Sequence, residues 1–130
     1  MRALLASSDL SIVSLASGAA GRNRVELQVA MSPAALAAAI ESQPFDLAIF
    51  DLSMPALDIA RAIESLRGRP AASLPGASLP GVPLRTVAFG PHVQEALLAA
   101  ARSAGCDRVL SRGQFHSQID GIVTSDSYDA

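Results

Sequence analysis

Residues Phe45–Pro55 read FDLAIFDLSMP. Leu47 to Phe50 run apolar without a polar break, Asp51 follows at once, and Met54-Pro55 closes the stretch. A short unbroken apolar run bounded by turn residues is the pattern of a strand buried on both faces. Ending that strand on a carboxylate places an ionisable group at the rim of the core, where it needs partners.

The flanking elements alternate in type. Before this stretch, Ser32-Pro33 supplies a cap and a first-turn proline for AALAAAIE, a helix that ends before Pro44. Arg24–Ala30 (RVELQVA) alternates, with Val25, Leu27 and Val29 on one side, as a half-buried strand near a sheet edge should. Ser8 is expected to cap a helix with Ile12, Leu15, Ala16 and Ala19 on one face, ended by Gly18 and Gly21; Arg2–Ala6 precedes it as a short strand. After the central stretch, Asp58 caps a helix striped with Ile59, Ile63 and Leu66 and stopped by Gly68. Leu84–Phe89 is a strand, Val93–Ala104 a helix closed by Gly105, and Arg108–Ser111 the last strand. Phe115, Ile119, Ile122 and Val123 outline a weaker final helix that contains Gly121.

Strands alternating with helices force crossovers, and crossovers make a parallel sheet with helices on both faces. The expectation is a flavodoxin-like doubly wound domain: a three-layer α/β/α sandwich of five parallel strands in the order 2-1-3-4-5. In such a sheet, ligand chemistry belongs at the carboxyl ends of the strands, where Ser7-Ser8, Asp51, Gly90 and Arg112 fall.

Composition narrows the classes. The 130 residues suit one domain, read as 1–123, with the polar stretch 124–130 as a tail; half of them are apolar. The net charge of -2 and the lack of a basic run point away from nucleic acid. Cys106 is the single cysteine, so no internal disulfide forms, which fits a reducing compartment. The N-terminal apolar runs are broken by Ser7, Ser8, Asp9 and Ser11, and no stretch approaches the roughly 20 apolar residues of a membrane span. A soluble cytoplasmic protein is expected.

Two segments carry a resemblance. DLAIFDLSMPALD, with Asp58 opening a helix, and AARSAGCDRVLSR, in this element order, resemble the receiver domain of two-component response regulators. The resemblance covers essentially the full length. It implies a phosphoacceptor aspartate ending the third strand, an acidic pair after the first strand holding Mg²⁺, a hydroxyl residue ending the fourth strand, and a lysine followed by proline after the fifth. Asp51 matches the acceptor. The acidic pair falls on Ser7 and Ser8, which are poor metal ligands; Asp9, one residue on, and Asp51 are weak metal candidates. Gly90 stands at the hydroxyl position, Arg112 at the lysine and Gly113 at the proline. Arginine keeps the charge but not the point-charge geometry.

The reading that follows is a degenerate receiver, or pseudo-receiver, that signals by phosphorylation-independent protein–protein interaction, with no enzymatic activity and no cofactor. Asp51 is then structural and expected within hydrogen-bond reach of Arg112. The alternative is a phosphoacceptor switched on Asp51 by a histidine kinase, which requires Mg²⁺. A second alternative is a small-ligand sensor using the pocket near Ser7, Asp51, Gly90 and Arg112, the glycine admitting a ligand to the backbone. The expected partner is a signalling protein or a histidine kinase, with no nucleic acid and no membrane. Homodimerisation is expected through the fourth helix, fifth strand and fifth helix, with Ala96, Ala99, Ala100 and Ala101 as the small face and Arg102, Asp107 and Arg108 as a charged rim.

Cys106, His92 and His116 lack the partners or spacing of a nucleophile or metal set and are read as structural or surface residues. Gly68–Pro83 repeats SLPGA and SLPGV. It is read as a loop, or as an interaction segment presenting Leu74 and Leu79.

Overall fold

The computed structural model describes residues 2–67 and 84–124. Leu74, Leu79 and the stop expected at Gly68 lie outside the described residues, as do residues 125–130. The elements run β1 (Arg2–Ala6), α1 (Leu10–Arg22), β2 (Glu26–Ala30), α2 (Pro33–Ser42), β3 (Leu47–Asp51), α3 (Ile59–Arg67), β4 (Arg85–Gly90), α4 (Glu95–Ser103), β5 (Arg108–Ser111) and α5 (Arg112–Ile122). The strand order is β2-β1-β3-β4-β5 and every pairing is parallel, the doubly wound arrangement expected from the alternation.

β3 is buried along its whole length. Its pleat sends Leu47 and Ile49 to one face of the sheet, where Ile12 and Ala16 of α1 and Phe115 and Ile119 of α5 pack. Ala48 and Phe50 point to the other face, against Leu36 and Ile40 of α2, Ile63 of α3 and Leu98 of α4. With both faces covered, no polar residue is tolerated until the strand emerges at Asp51. β2, at the edge, is covered less, and Val25, Leu27 and Val29 share one side as the alternation requires.

Several boundaries differ from expectation for local reasons. The N-cap of α1 is Asp9, not Ser8: its carboxylate accepts from the Ser11 amide at 2.9 Å, while Ser8 is exposed in the turn. β2 starts at Glu26 because Arg24 has a φ of 57°, which no extended strand accommodates. α4 starts at Glu95, since the Gln94 amide closes a turn onto the Pro91 carbonyl at 2.9 Å and leaves Val93 77% exposed. Gly105 ends α4 as expected, at a φ of 92°.

α5 is more complete than its pattern suggested. Ser111 caps it, accepting from the Gln114 amide, while the Gln114 side chain accepts from the Ser111 amide at 2.9 Å. This reciprocal box starts the helix at Arg112 and carries it through Gly121. Thr124, assigned to the tail, is buried, and its carbonyl accepts from Arg85 at 3.1 Å.

Of the residues assigned to the pairing face, one does not belong to it, and another, though half-exposed, is also engaged within the chain. Ala101 is fully buried in the core. Asp107 is tied to the fully buried Thr86, accepting from its amide at 2.8 Å and its hydroxyl at 3.0 Å. Arg67 also donates to the Thr86 hydroxyl at 3.3 Å and to the Gly105 carbonyl at 3.0 Å, fastening the end of α3 to β4 and β5.

Candidate functional site

β1, β3 and β4 end side by side, and their last residues with the turns that follow bring the sequence-predicted site residues together. Asp51 closes β3 in register with Phe89 of β4 and is 1% exposed. Its Oδ2 accepts from the Ser7 hydroxyl at 2.8 Å and its Oδ1 from the Ser53 amide at 2.9 Å. Ser7 is itself fully buried, and its Oγ accepts from the Asp9 amide at 3.1 Å, which directs the hydroxyl proton to Asp51. Each carboxylate oxygen thus has a short donor, as a buried acid requires.

Arg112 opens α5 and reaches back across the site. The chain contains no lysine, so the cationic role here falls to an arginine. Its Nη2 donates to Asp9 Oδ2, while its Nη1 stands 3.9 Å from Asp51 Oδ1. That second separation is an ion-pair contact beyond hydrogen-bond reach, so the direct bond expected between Arg112 and Asp51 does not form. Ser7 and Ser53 have already taken the two oxygens. The guanidinium lies 6.0 Å from the centroid of the Phe89 ring, which stacks on Phe115 at 4.0 Å. Asp9 therefore has two duties, capping α1 and holding Arg112; the Ser11 amide first, and Arg112 with it, keep its carboxyl below the ordinary range.

Gly90 ends β4 and is buried, but its lack of a side chain opens no ligand space. A Cβ there would lie 3.3 Å from Leu52 Cβ and 3.7 Å from Leu98 Cδ2. Close packing against Leu52 rather than a turn conformation accounts for the glycine. Ser8 is exposed and takes no part in the hydrogen bonding around Asp51.

The residues present do not fit the divalent ion that the resemblance implies. Mg²⁺ demands a near-octahedral set of free oxygens. Here the Asp51 oxygens are bonded to Ser7 and Ser53, the Ser7 proton is directed at Asp51, and Asp9 is engaged by the α1 terminus and Arg112. The guanidinium already sits between the two carboxylates.

Elsewhere, Cys106 is half-buried, its Sγ donating to the Arg108 carbonyl at 3.4 Å, and burial pushes its thiol up, away from nucleophilic use. His92 and His116 are exposed on the β4–α4 connection and on α5. The Arg67–Thr86–Asp107 network was not anticipated; its one trace in the sequence is a threonine inside the apolar strand RTVAF.

No family model matches the chain, and no curated protein matches its sequence. Solved structures do match. The chain is similar to the phosphorylated cyanobacterial phytochrome response regulator RcpA, with a TM-score of 0.71 at 11% identity over 99% of this chain and 98% of that one. It is similar to a response regulator signal receiver domain from Bermanella marisrubri, with a TM-score of 0.67 at 20% identity over 95% and 98%. A two-component response regulator from Clostridium difficile gives 0.69 at 12% identity over 95% of each chain. Backbone course is conserved at these identities while nearly all side chains differ, and the fold of this chain is that of response regulator receiver domains.

Proposed function

We propose that the chain is a signalling module of the degenerate receiver type, binding protein partners without phosphoryl transfer to Asp51 and without enzymatic activity of its own. The observation that supports this most directly is the occupied state of the Asp51 carboxylate. Ser7 and the Ser53 amide each donate to one of its oxygens, and the Arg112 guanidinium, held by Asp9, lies 3.9 Å from Oδ1. A phosphoacceptor needs one oxygen free for attack and a metal to offset repulsion between carboxylate and phosphate. Ser7 and Ser8 are neutral and Asp9 is engaged by Arg112, so these side chains do not supply the acidic set that would hold such a metal. The hydroxyl that would report phosphorylation is replaced by Gly90, so partner binding is constitutive in this reading.

The test is a thermal melt with and without Mg²⁺ and beryllofluoride, a phosphoryl mimic. A ligand binding the native state at 100 times its Kd adds about 2.7 kcal/mol, several degrees in Tm for a domain of this size. No shift is expected. A shift abolished by Asp51→Asn would restore the phosphoacceptor reading.

Homotypic pairing through α4, β5 and α5 is the second form of the same proposal. Ala96, Ala99 and Ala100 are exposed on α4, Leu97 is 37% exposed beside them, and α5 is fully formed. Sedimentation at micromolar concentration decides it; a monomer throughout that range leaves hetero-association.

A further inference from the structure

β2 lies at one edge of the sheet, hydrogen-bonded to β1 alone. The Ala30 carbonyl accepts from the Ser7 amide at 3.1 Å, so the backbone of Ala30 faces β1. Successive residues of a strand turn their N–H and C=O groups to opposite sides, so Gln28 and Glu26 face β1 as well. Leu27 and Val29 then turn theirs outward, where no backbone partner meets them among the described residues.

Sheet edges are ordinarily blunted by lysine, proline, a bulge or short length. β5, at the other edge, has 4 residues and opens on Arg108 directly after Asp107. β2 has 5, in unbroken register with β1 and without proline or glycine. Its single charge, Glu26, is paired with Arg2 at 3.1 Å. This edge carries no such guard.

The strand is complementary to itself in one antiparallel register. With a two-fold axis at Gln28, Leu27 stands opposite Val29 of a second copy and Val29 opposite its Leu27. Every outward N–H and C=O of those residues is then paired, and two half-buried apolar side chains gain cover. Glu26 faces Ala30, so no like charges meet. The Gln28 side chains meet at the axis; within the chain, among the described residues, each is held only by Gln43 at 3.5 Å. Moving the axis to Leu27 sets Val29 against Val25, whose amide already bonds the Ala20 carbonyl at 2.9 Å. Moving it to Val29 sets Leu27 against Met31, beyond the strand.

We propose that a second copy of this chain adds to β2 in the register centred on Gln28, joining two five-stranded sheets into one continuous sheet. The surface is distinct from α4, β5 and α5, and the pairing does not rest on the phosphorylation-independent reading.

Sedimentation velocity on the full chain should show a monomer–dimer equilibrium in the micromolar range, since a single strand pair is a small interface. Val29→Pro removes an outward N–H that β1 does not use, a place where an edge strand tolerates proline. It should weaken the dimer about tenfold or more in Kd. Ala100→Glu, on the exposed side of α4, should leave the equilibrium unchanged. A circular dichroism melt checks that each variant folds. Disulfide trapping in a Cys106→Ala background reads the register separately. Gln28→Cys should cross-link to its copy under mild oxidation. Glu26→Cys should not, because this register sets the two copies of that position about 13 Å apart along the strand. If Val29→Pro does not fold, the trapping decides alone. A monomer throughout, a dimer indifferent to Val29→Pro or broken by Ala100→Glu, or cross-linking through Glu26→Cys in place of Gln28→Cys would overturn the proposal.

Discussion

At Asp51, two neutral donors do what a metal and a lysine do in the chemistry implied by the resemblance. Ser7 is the more consequential of the contacts, because it is fully buried and its removal strands a carboxylate oxygen in the core. Ser7→Ala should cost about 1–3 kcal/mol in urea denaturation. Arg112→Ala should cost less, since that side chain is 34% exposed and 3.9 Å from Asp51. The reverse ranking would mean that the arginine, not the serine, holds the acid. Gly90 supports a second expectation. Gly90→Thr restores the family's hydroxyl but sets a Cβ 3.3 Å from Leu52. It should destabilise by about 1–3 kcal/mol. Adding Leu52→Ala should recover part of the loss relative to Leu52→Ala alone, as a double-mutant cycle in thermal melts would reveal.

At the level of elements, the contest is clearest in α5. Gly121 weakens a helix whose apolar residues are sparse, and pattern alone made it the least secure of the ten. The Ser111–Gln114 box and the stack of Phe115 on Phe89 outweigh that weakness. Ser111→Ala should therefore lower stability by about 0.5–2 kcal/mol. Gly121→Ala should raise it by about 0.4–1 kcal/mol, because the site is helical, exposed and open to a Cβ. Urea midpoints measure both, and a destabilised Gly121→Ala would show that the glycine serves a contact absent from the isolated chain.

For the whole molecule, three groups tie stability to pH in a direction that can be worked out. Asp9 and Asp120 are held below their ordinary value of 3.8, by the Ser11 amide and by Arg22 respectively. A lowered acid contributes stability that is complete above its unfolded value and is lost as pH falls through the folded one. Burial raises Cys106 above its ordinary 9.0, so the folded state prefers the neutral thiol and loses stability as pH climbs past that value. These three groups should make Tm fall at the acid end and at the alkaline end. Asp120→Asn should shrink the acid limb and Cys106→Ala the alkaline one; an unchanged alkaline limb in Cys106→Ala would remove the thiol from the account.

The sequence by itself determined the element order, the parallel sheet and the placing of Asp51 at a strand end. Those follow from periodicity, caps and crossover handedness, all of which are local or nearly so. It also identified Ser7, Ser8, Gly90 and Arg112 as the altered positions around the acid. What it left open was which atoms meet. Arg112 and Asp9 lie 103 residues apart, hydrogen-bond partners that only the folded sheet can join, and whether Arg112 would choose Asp9 or Asp51 depended on which acid already had closer donors. The Ser8-to-Asp9 shift of the first cap is a difference of one residue that propensity does not resolve, since both types cap well. The Thr86–Asp107–Arg67 network was invisible for the same reason: it is made by residues from three separate elements, and how their side chains mesh is not fixed by the pattern along any one of them.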